Sequence, residues 1–328
     1  MSVRVYESIR SVPTVWDEAV RASGAPVFYE RAYLEAYEDA PLAPVERSAY
    51  LVATGGGAVA VLPVFLVAAL DPLGALASAF RDAPSGRGLV TPGWHCYDGR
   101  ILATTPDPDP DLVAGLVAAL GDLAREAGVE WGALVNFTDG VAPGGAKATI
   151  DERFLLDLGR FESAEAYVAS LAPKVRQNVR RWRRRAEEAG AAVTVGRAGD
   201  ADLDGIVELA RATATKYGAG DFYRPGPFQR FVRALGDSAV AIEVRLGDRL
   251  LSGGVCLVDA ERFHTWTCGV DYDADPPFST YTLMFVESVR AAFERGLPVL
   301  EGGRRNAEYK LRYGLRRQPL DGYLLRFS

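Results

Sequence analysis

The stretch "LAREAGVEWGAL" (residues 123–134) has the order of elements of an α/β unit: the end of a helix, a glycine and a buried strand. Gly128 can take the left-handed conformation that ends helices, and the apolar run after it is typical of a strand. The same order recurs in "FERGLPVLEGG" (residues 293–303). Because recurrence at a long, fixed period indicates duplication, we expect two similar α/β units.

The elements around these two stretches repeat as well. In the first half, residues 48–67 predict two strands around a glycine turn, and residues 109–128 predict a helix. In the second half, residues 238–258 again predict strand, turn and strand, residues 262–270 predict a third strand, and residues 279–296 predict a helix. The sequence therefore predicts two mixed sheets, each flanked by helices.

A strongly basic segment follows the predicted boundary between the two units. We place the first unit at residues 1–160 and the second at residues 161–328, where a basic helix at 174–189 comes early. Pro173 suits the start of that helix and Gly190 its end. Its apolar residues recur every three or four positions and form one stripe: Val175, Val179, Trp182, Ala186 and Ala189. The pattern predicts a packed amphipathic helix and not a flexible basic tail.

The composition of the 328 residues predicts a soluble globular protein, with 48% hydrophobic and 24% charged residues and a net charge of −6. No window reaches the roughly 18 consecutive apolar residues of a membrane span. Three cysteines without a CxxC pair favour neither a disulfide framework nor a zinc site, and with only two histidines we expect no catalytic metal. A reducing cytoplasm is the expected location.

The C-terminal segment "EGGRRNAEYKLRYG" (residues 301–314) is the most suggestive of chemistry. Its two glycines let the backbone approach a ligand closely, and charged residues follow them. Lys310 is one of only four lysines in a chain that otherwise uses arginine, which hints at a need for a compact ammonium. The alternative is an ordinary loop lysine.

Two aromatic residues of the strand at 262–270 are further candidates. His264 and Trp266 share one face of that strand and could line a cleft. The alternative for His264 is a buried histidine with a structural partner.

Together, the basic helix and the C-terminal segment resemble the Fem family of aminoacyltransferases and its FemAB-like relatives. Those proteins are tandem GNAT folds, with a basic K/R-x-x-R-N-x-R-type helix in the second unit and a Y/F-K-x-x-F/Y-G motif near the C-terminus. The resemblance covers residues from about 160 to 328 well and the first half only in outline. It implies that Lys310 contacts the donor or stabilises the oxyanion, with Tyr309 beside it. We expect these side chains to bind donor or substrate: Arg176, Asn178, Arg180, Arg184, His264, Trp266, Arg304 and Arg305.

The resemblance implies an enzyme that forms an amide bond by transferring an aminoacyl group to an amine, with no permanently bound cofactor. Aminoacyl-tRNA is the expected donor. Because the long coiled-coil insertion of some Fem proteins is missing, we expect the protein to contact only the acceptor end of the tRNA. Acyl-CoA is the alternative donor, although "DYDADPPFST" (residues 271–280) stands where a GNAT protein carries its glycine-rich coenzyme A loop. The amine acceptor, a small molecule or a peptide, stays open, as does the oligomeric state.

Two other interpretations of the basic helix assign it no catalytic role. It could be the contact helix of a non-catalytic nucleic-acid-binding protein, but the net charge of −6 argues against the broad basic face that such proteins present. It could also be a solvated helix face whose arginines pair with neighbouring carboxylates such as Glu187 and Glu188.

Overall fold

The chain folds into two compact units in the computed structural model. The model describes residues 1–138, 144–216 and 218–327. The first unit consists of Met1–Glu152 and Pro319–Ser328, and the second of Arg153–Gln318. The sequence-based division at 160/161 therefore lies slightly beyond the structural boundary, and the C-terminal strand returns to the first unit.

Strands and helices alternate along both units. The strands are β1 (Ser2–Tyr6), β2 (Val45–Gly55), β3 (Ala58–Val67), β4 (Gly88–Thr91), β5 (Leu102–Ala103), β6 (Trp131–Phe137), β7 (Ala146–Asp157), β8 (Ala191–Arg197), β9 (Ala239–Leu246), β10 (Arg249–Val258), β11 (Arg262–His264), β12 (Gly269–Val270), β13 (Val299–Arg304) and β14 (Arg316–Arg326). The helices are α1 (Val15–Ala22), α2 (Arg31–Asp39), α3 (Ala75–Ala79), α4 (Pro110–Ala127), α5 (Ala164–Ser170), α6 (Pro173–Glu188), α7 (Leu203–Thr215), α8 (Pro227–Ala234), α9 (Thr280–Glu294) and α10 (Ala307–Arg312).

The strand pairings confirm the duplication. In the first unit, β1, β2 and β3 are antiparallel neighbours, β3 pairs with β4 and β5, and β4 runs parallel to β6. In the second unit, β8, β9 and β10 are antiparallel neighbours, β10 pairs with β11 and β12, and β11 runs parallel to β13. In each unit a long helix, α4 or α9, precedes the parallel strand, as the connection between parallel strands requires.

Local signals explain where the long helices begin and end. The Asp109 side chain caps α4 by accepting a hydrogen bond from the Asp111 amide, and Gly128 ends the helix with φ of 64°. Ser279 caps α9 in the same way through the Thr282 amide. These limits agree with the helices predicted from the sequence.

The third strand of the second unit is interrupted, although the sequence predicts it as one strand over 262–270. The first part, β11, pairs with both β10 and β13, whereas the second part, β12, pairs with β10. The apolar pattern of this stretch reflects burial throughout, and burial alone does not record a change of strand partner.

The C-terminal strand completes the sheet of the first unit. In β14, the residues from Asp321 to Arg326 pair antiparallel with β6. Tyr323 and Leu325 are buried in the core of this unit, against α4 and the sheet. Tyr323 makes an edge-to-face contact with Phe137, with ring centroids 5.9 Å apart, within the range that aromatic pairs prefer. The first unit therefore depends on residues that the chain supplies last.

We expect Tyr323→Ala to lower the free energy of unfolding by about 3–5 kcal/mol, because it deletes a buried ring and leaves a cavity. Denaturant unfolding followed by circular dichroism measures the loss. Arg326→Ala, at an exposed position of the same strand, is the matched control and should change stability little. Equal stability of the two variants would mean that β14 contributes little to the first unit.

Candidate functional site

The candidate site lies in the second unit, where the parallel strands β11 and β13 diverge. Their parallel ladder runs from Arg262 and Val299 to His264 and Glu301. Thr265 extends it, because its amide and its hydroxyl both donate to the Glu301 carbonyl, at 2.8 and 3.0 Å. Beyond Thr265, the segment that leaves β11 pairs with β10 as β12, while β13 continues beside β7. Diverging strands create a place where backbone groups can meet a ligand.

The corresponding place in the first unit is filled by the protein's own chain. Strand β4 runs beside β6 up to Thr91, and Gly99 then bonds to β6 again through its amide and the Asn136 carbonyl. The loop between them is buried, including Trp94 and Cys96. The Asn136 side chain donates to the Cys96 carbonyl at 2.7 Å, which ties the loop to the strand. This comparison favours the second unit as the candidate site.

Lys310 of α10 lies at the end of β13 with its ammonium turned inwards. The residue is only 3% exposed, and Nζ donates to the Arg304 carbonyl at 2.6 Å. Nζ also lies 5.1 Å from the ring centre of Phe154, within cation–π range. This lysine therefore holds the backbone at the end of β13. Its contact with a reacting carbonyl stays a prediction.

Tyr309 packs in an aromatic cluster beside Lys310. Its ring stacks on Tyr313 at 4.2 Å between centroids and meets Tyr281 edge-on at 4.8 Å. Burial, followed by the neighbouring Tyr313, raises the pKa of Tyr309 well above its ordinary value. Tyr309 therefore stays a phenol at neutral pH and can donate a hydrogen bond, but it cannot act as a general base.

His264 and Trp266 face the side of the sheet opposite to Lys310. Phe263 packs in the same core as Phe154, so the adjacent His264 points the other way. There His264 is fully buried, with Nε2 2.7 Å from Asp259 Oδ2. Trp266 is 3% exposed and packs against Phe228 and Phe231 of α8, with ring centroids 5.9 and 5.7 Å away. The structure thus does not bring these two residues together with Lys310, and their role in substrate binding stays a prediction.

Helix α6 has the amphipathic form that the sequence predicts. Val179 and Ala186 are buried, and the remaining apolar residues of the stripe pack against the same core. Trp182 is partly buried, and two arginines cover its ring, with the guanidinium carbons of Arg181 and Arg185 at 4.2 and 5.5 Å from the ring centre. The stripe therefore anchors the helix and leaves its basic face outward.

The arginines of α6 have different surroundings. Arg176 donates to the carbonyls that precede the helix, at 2.8 and 3.1 Å, so it braces the link between α5 and α6. Arg184 pairs with Glu188 on the exposed surface at 3.5 Å, as the solvated-face reading expects for some of them. Arg180 is exposed, and within the residues that the structure describes it has no ion-pair or hydrogen-bond partner. Asn178 is partly buried.

Arg304 and Arg305 follow the two glycines of β13 and differ in exposure. The guanidinium carbon of Arg304 lies 5.8 Å from the ring centre of Phe222, and this side chain is partly buried. Arg305 is exposed and takes the left-handed conformation, with φ of 66°. Both residues lie at the end of β13, and their role in donor or substrate binding stays a prediction.

Two buried residues of the site escaped the sequence analysis. Glu301, the first residue of the suggestive C-terminal segment, pairs with Arg153 of β7 at 3.1 Å, and both are at most 3% exposed. Arg153 Nε also donates to Gln318 Oε1 at 3.0 Å. A glutamate inside an apolar strand is a weak signal of such a pair, but nothing in the sequence indicates that Arg153 is the partner.

The titratable groups offer no activated nucleophile among the two cysteines of this unit. Burial raises the pKa of Cys268 to about 12, although the Lys310 charge acts to lower it. Burial likewise raises the pKa of Cys256 to about 12. Because the thiolate is the reactive form, both thiols are inert at neutral pH. Acyl transfer directly to the acceptor amine, without a covalent enzyme intermediate, suits this arrangement.

Among residues 1–138, 144–216 and 218–327, no group of three or more histidine, cysteine, aspartate or glutamate side chains could hold a metal ion. The expectation of a reaction without metal stays a prediction. Within these ranges, no helix is long and apolar enough to cross a membrane.

Comparison with known proteins identifies the fold. Residues 173–311 match the acetyltransferase (GNAT) domain family. No curated protein matches the sequence. Among solved structures, FemX covers 98% of this chain and 96% of its own, with a TM-score of 0.62 and 10% identity. L-PGS from Bacillus licheniformis covers 96% and 92%, with a TM-score of 0.58 and 12% identity. A tandem GNAT protein from the clavulanic acid biosynthesis pathway covers 99% and 98%, with a TM-score of 0.57 and 10% identity.

These similarities confirm the expected fold of two tandem GNAT-like units and the resemblance to Fem-type proteins. The structural matches share little sequence, so they speak for the fold alone. The acetyltransferase domain match lies in the second unit and spans both α6 and β13. It supports an acyltransferase, and it lies where the diverging strands form the candidate site.

Asp259 gives the second unit a testable dependence on pH. Burial alone acts to raise the pKa of Asp259, but the hydrogen bond from His264, the His264 charge and the Glu261 amide outweigh it, and the pKa ends below its ordinary value of 3.8. The stability that Asp259 contributes is therefore present above pH 3.8 and lost as the pH falls below it.

We expect Asp259→Asn to be less stable than the parent near pH 7 and to lose less stability between pH 5 and pH 3, because one coupled proton is removed. Urea unfolding at several pH values measures this slope. Asp273→Asn, at an exposed loop position, should keep the slope of the parent. An unchanged slope in Asp259→Asn would show that this carboxylate does not couple folding to protonation.

Proposed function

We propose that the protein transfers an aminoacyl group from the acceptor end of an aminoacyl-tRNA to an amine, forming an amide bond. The exposed basic face of α6 carries this proposal. Lys174, Arg180, Arg181 and Arg185 are all exposed on the helix that opens the GNAT-matching segment. Several exposed cations on one short helix suit the closely spaced phosphates of a nucleic acid.

A local basic helix is compatible with the net charge of −6. An acceptor end is short and needs a small basic surface, whereas a binder of long duplex nucleic acid needs a broad one. The anchoring stripe keeps the helix in place, so its charges are positioned before a donor arrives. This arrangement favours an enzyme over a non-catalytic nucleic-acid-binding protein.

The proposed reaction needs no nucleophile from the protein. The acceptor nitrogen attacks the ester carbonyl carbon, a C–N bond forms, and the C–O bond to the ribose breaks. The ribose oxygen leaves with the proton that the nitrogen loses, so that the products are an amide and a tRNA with a free hydroxyl. Catalysis then rests on holding the two reactants together and on stabilising the developing oxyanion.

Acyl-CoA is a second candidate donor, and one observation favours it. The matched domain family is named for acetyltransferases, and its match includes the start of α9. The residues before that helix, 271–278, are rich in aspartate and contain no glycine. This composition is unfavourable for a pyrophosphate, which is why aminoacyl-tRNA is preferred.

The amine acceptor stays broad in this proposal. One structural neighbour is described as the C-terminal domain of a putative lysylphosphatidylglycerol synthetase from Agrobacterium fabrum, with a TM-score of 0.57 and 14% identity. That name makes phosphatidylglycerol a second acceptor to test beside amino acids, peptides and other small amines, and transfer to its hydroxyl would give an ester in place of the proposed amide.

A transfer assay tests the donor. We expect the protein to release amino acid from total aminoacylated tRNA only when a suitable acceptor is present, and to form a product with the mass of the joined pair. A panel of acyl-CoAs and vesicles of phosphatidylglycerol complete the screen. Gel retardation of tRNA without any transfer would favour a non-catalytic binder, and transfer from acyl-CoA alone would replace the donor.

Arg180 tests the contact of α6 with the donor. We expect Arg180→Ala to weaken binding of a tRNA and to reduce the salt dependence, the slope of log K against log salt, by about one unit, because one phosphate contact is lost. Thermal stability should not change, since the side chain is exposed. Arg197→Ala removes an exposed arginine outside α6 and is the control. Identical salt slopes in all three proteins would exclude Arg180 from the donor site.

A further inference from the structure

The four residues 303–306, from the end of β13 to the start of α10, have an unusual backbone. Three of them are left-handed, with φ of 68° at Gly303, 66° at Arg305 and 53° at Asn306. Glycine adopts this conformation freely, but for arginine and, to a lesser degree, asparagine it costs free energy. Residues held in this way persist only where their surroundings impose the conformation, and they cluster at functional sites. We call residues 303–306 the Arg305 turn.

Buried charged groups hold the Arg305 turn from two directions. Glu301 Oε1 accepts a hydrogen bond from the Gly303 amide at 3.2 Å. Lys310 Nζ donates to the Arg304 carbonyl at 2.6 Å, and the Lys310 amide donates to the Asn306 carbonyl at 3.2 Å. Because the Glu301 and Lys310 side chains are almost fully buried, water competes little for their two hydrogen bonds to the turn.

Glu301, which bonds to the turn, is positioned by its own ion pair with Arg153. Arg153 pairs with Glu301 Oε2 at 3.1 Å, which leaves Oε1 for the Gly303 amide. Gln318 in turn accepts from Arg153 Nε at 3.0 Å. A buried ion pair of this kind contributes little net stability, so its value must be sought in the geometry that it imposes.

The geometry presents one cation to solvent. Arg305 is exposed, and among the described residues nothing forms an ion pair or hydrogen bond with it. Its backbone is fixed on both sides, so ligand binding has to order the side chain but not the backbone. The guanidinium fork matches the oxygens of a phosphate.

We propose that the Arg305 turn is a preorganised phosphate-binding element, in which Arg305 contacts a phosphate of the acyl donor. Lys310 and Glu301 are positioning residues that act through the backbone of the turn. The inference rests on the proposed function, because it assigns the phosphate to the donor. A phosphate is common to the acceptor end of tRNA and to coenzyme A, so the experiment uses both.

Binding tests the turn without any need for turnover. The probes are free coenzyme A and an uncharged tRNA acceptor-stem minihelix, with affinity measured by calorimetry or fluorescence anisotropy. We expect Arg305→Ala to weaken binding of one probe about 10- to 100-fold, as for the loss of one charged hydrogen bond. Arg312→Ala removes an exposed arginine of α10 and should bind like the parent.

Coupling between residues tests the positioning role. Lys310→Met alone should weaken binding of the same probe by a similar factor. In the Arg305→Ala background it should weaken binding hardly further, because both substitutions remove the same contact. Lys310→Arg, which keeps a donor for the Arg304 carbonyl, should restore part of the affinity. In the transfer assay, Lys310→Met should raise KM for the donor and leave kcat nearly unchanged.

The outcomes separate this inference from the proposed function. Parent-like binding by Arg305→Ala, or binding of neither probe by the parent protein, overturns the phosphate-binding turn. Independent effects of Lys310→Met and Arg305→Ala, with a fall in kcat, would instead place Lys310 at the reacting carbonyl. Loss of binding in Arg305→Ala without transfer from any donor would keep the turn and refute the transferase reaction.

Discussion

The buried pair of Arg153 and Glu301 is the interaction on which the candidate site depends. It joins β7 to β13 where water is excluded, and removal of one partner would leave an unpaired charge in the core. The ladder between these strands shifts its register between Glu301 and Arg304, so β13 bends there. Gly302 lies inside the bend, where a Cβ atom would come within 2.4 Å of Leu315. The course of β13, its divergence from β11 and the turn that follows all depend on this point.

The two units share one architecture but differ in the segment that follows their parallel strand pair. Both have the same order of antiparallel and parallel pairings, and in both the parallel pair separates after a few residues. In the first unit a buried loop closes the separation and is bonded to Asn136. In the second unit the shorter connection from β11 to β12 follows β10, and the cations of the C-terminal segment lie at the end of β13. Duplication thus supplies two similar sheets, and the connection that follows the parallel pair differs between them.

Arginine serves two purposes in the second unit, and their separation explains how an acidic protein can present a basic surface. Arg153 and Arg176 bond to the protein itself and fix strands and helix ends. Arg180 and Arg305 are exposed, and their positions are set by packing elsewhere: the apolar stripe of α6 for the first, the held backbone of the turn for the second. Net charge therefore says little about local binding, because a few fixed cations can outweigh a distant surplus of carboxylates at short range.

Features that depend on neighbours along the chain could be predicted from the amino-acid sequence. Helix periodicity and terminal glycines mark the limits of α4 and α6, and the recurring order of elements reveals the duplication. The folded chain was needed to show that β14 completes the first unit, that residues 262–270 change strand partner, and that the Lys310 ammonium points inwards to a carbonyl. The pairing of Arg153 with Glu301 belongs to the same group. Periodicity records whether a side chain is buried, but it does not record which distant residue buries it, and that choice determines the geometry of the site.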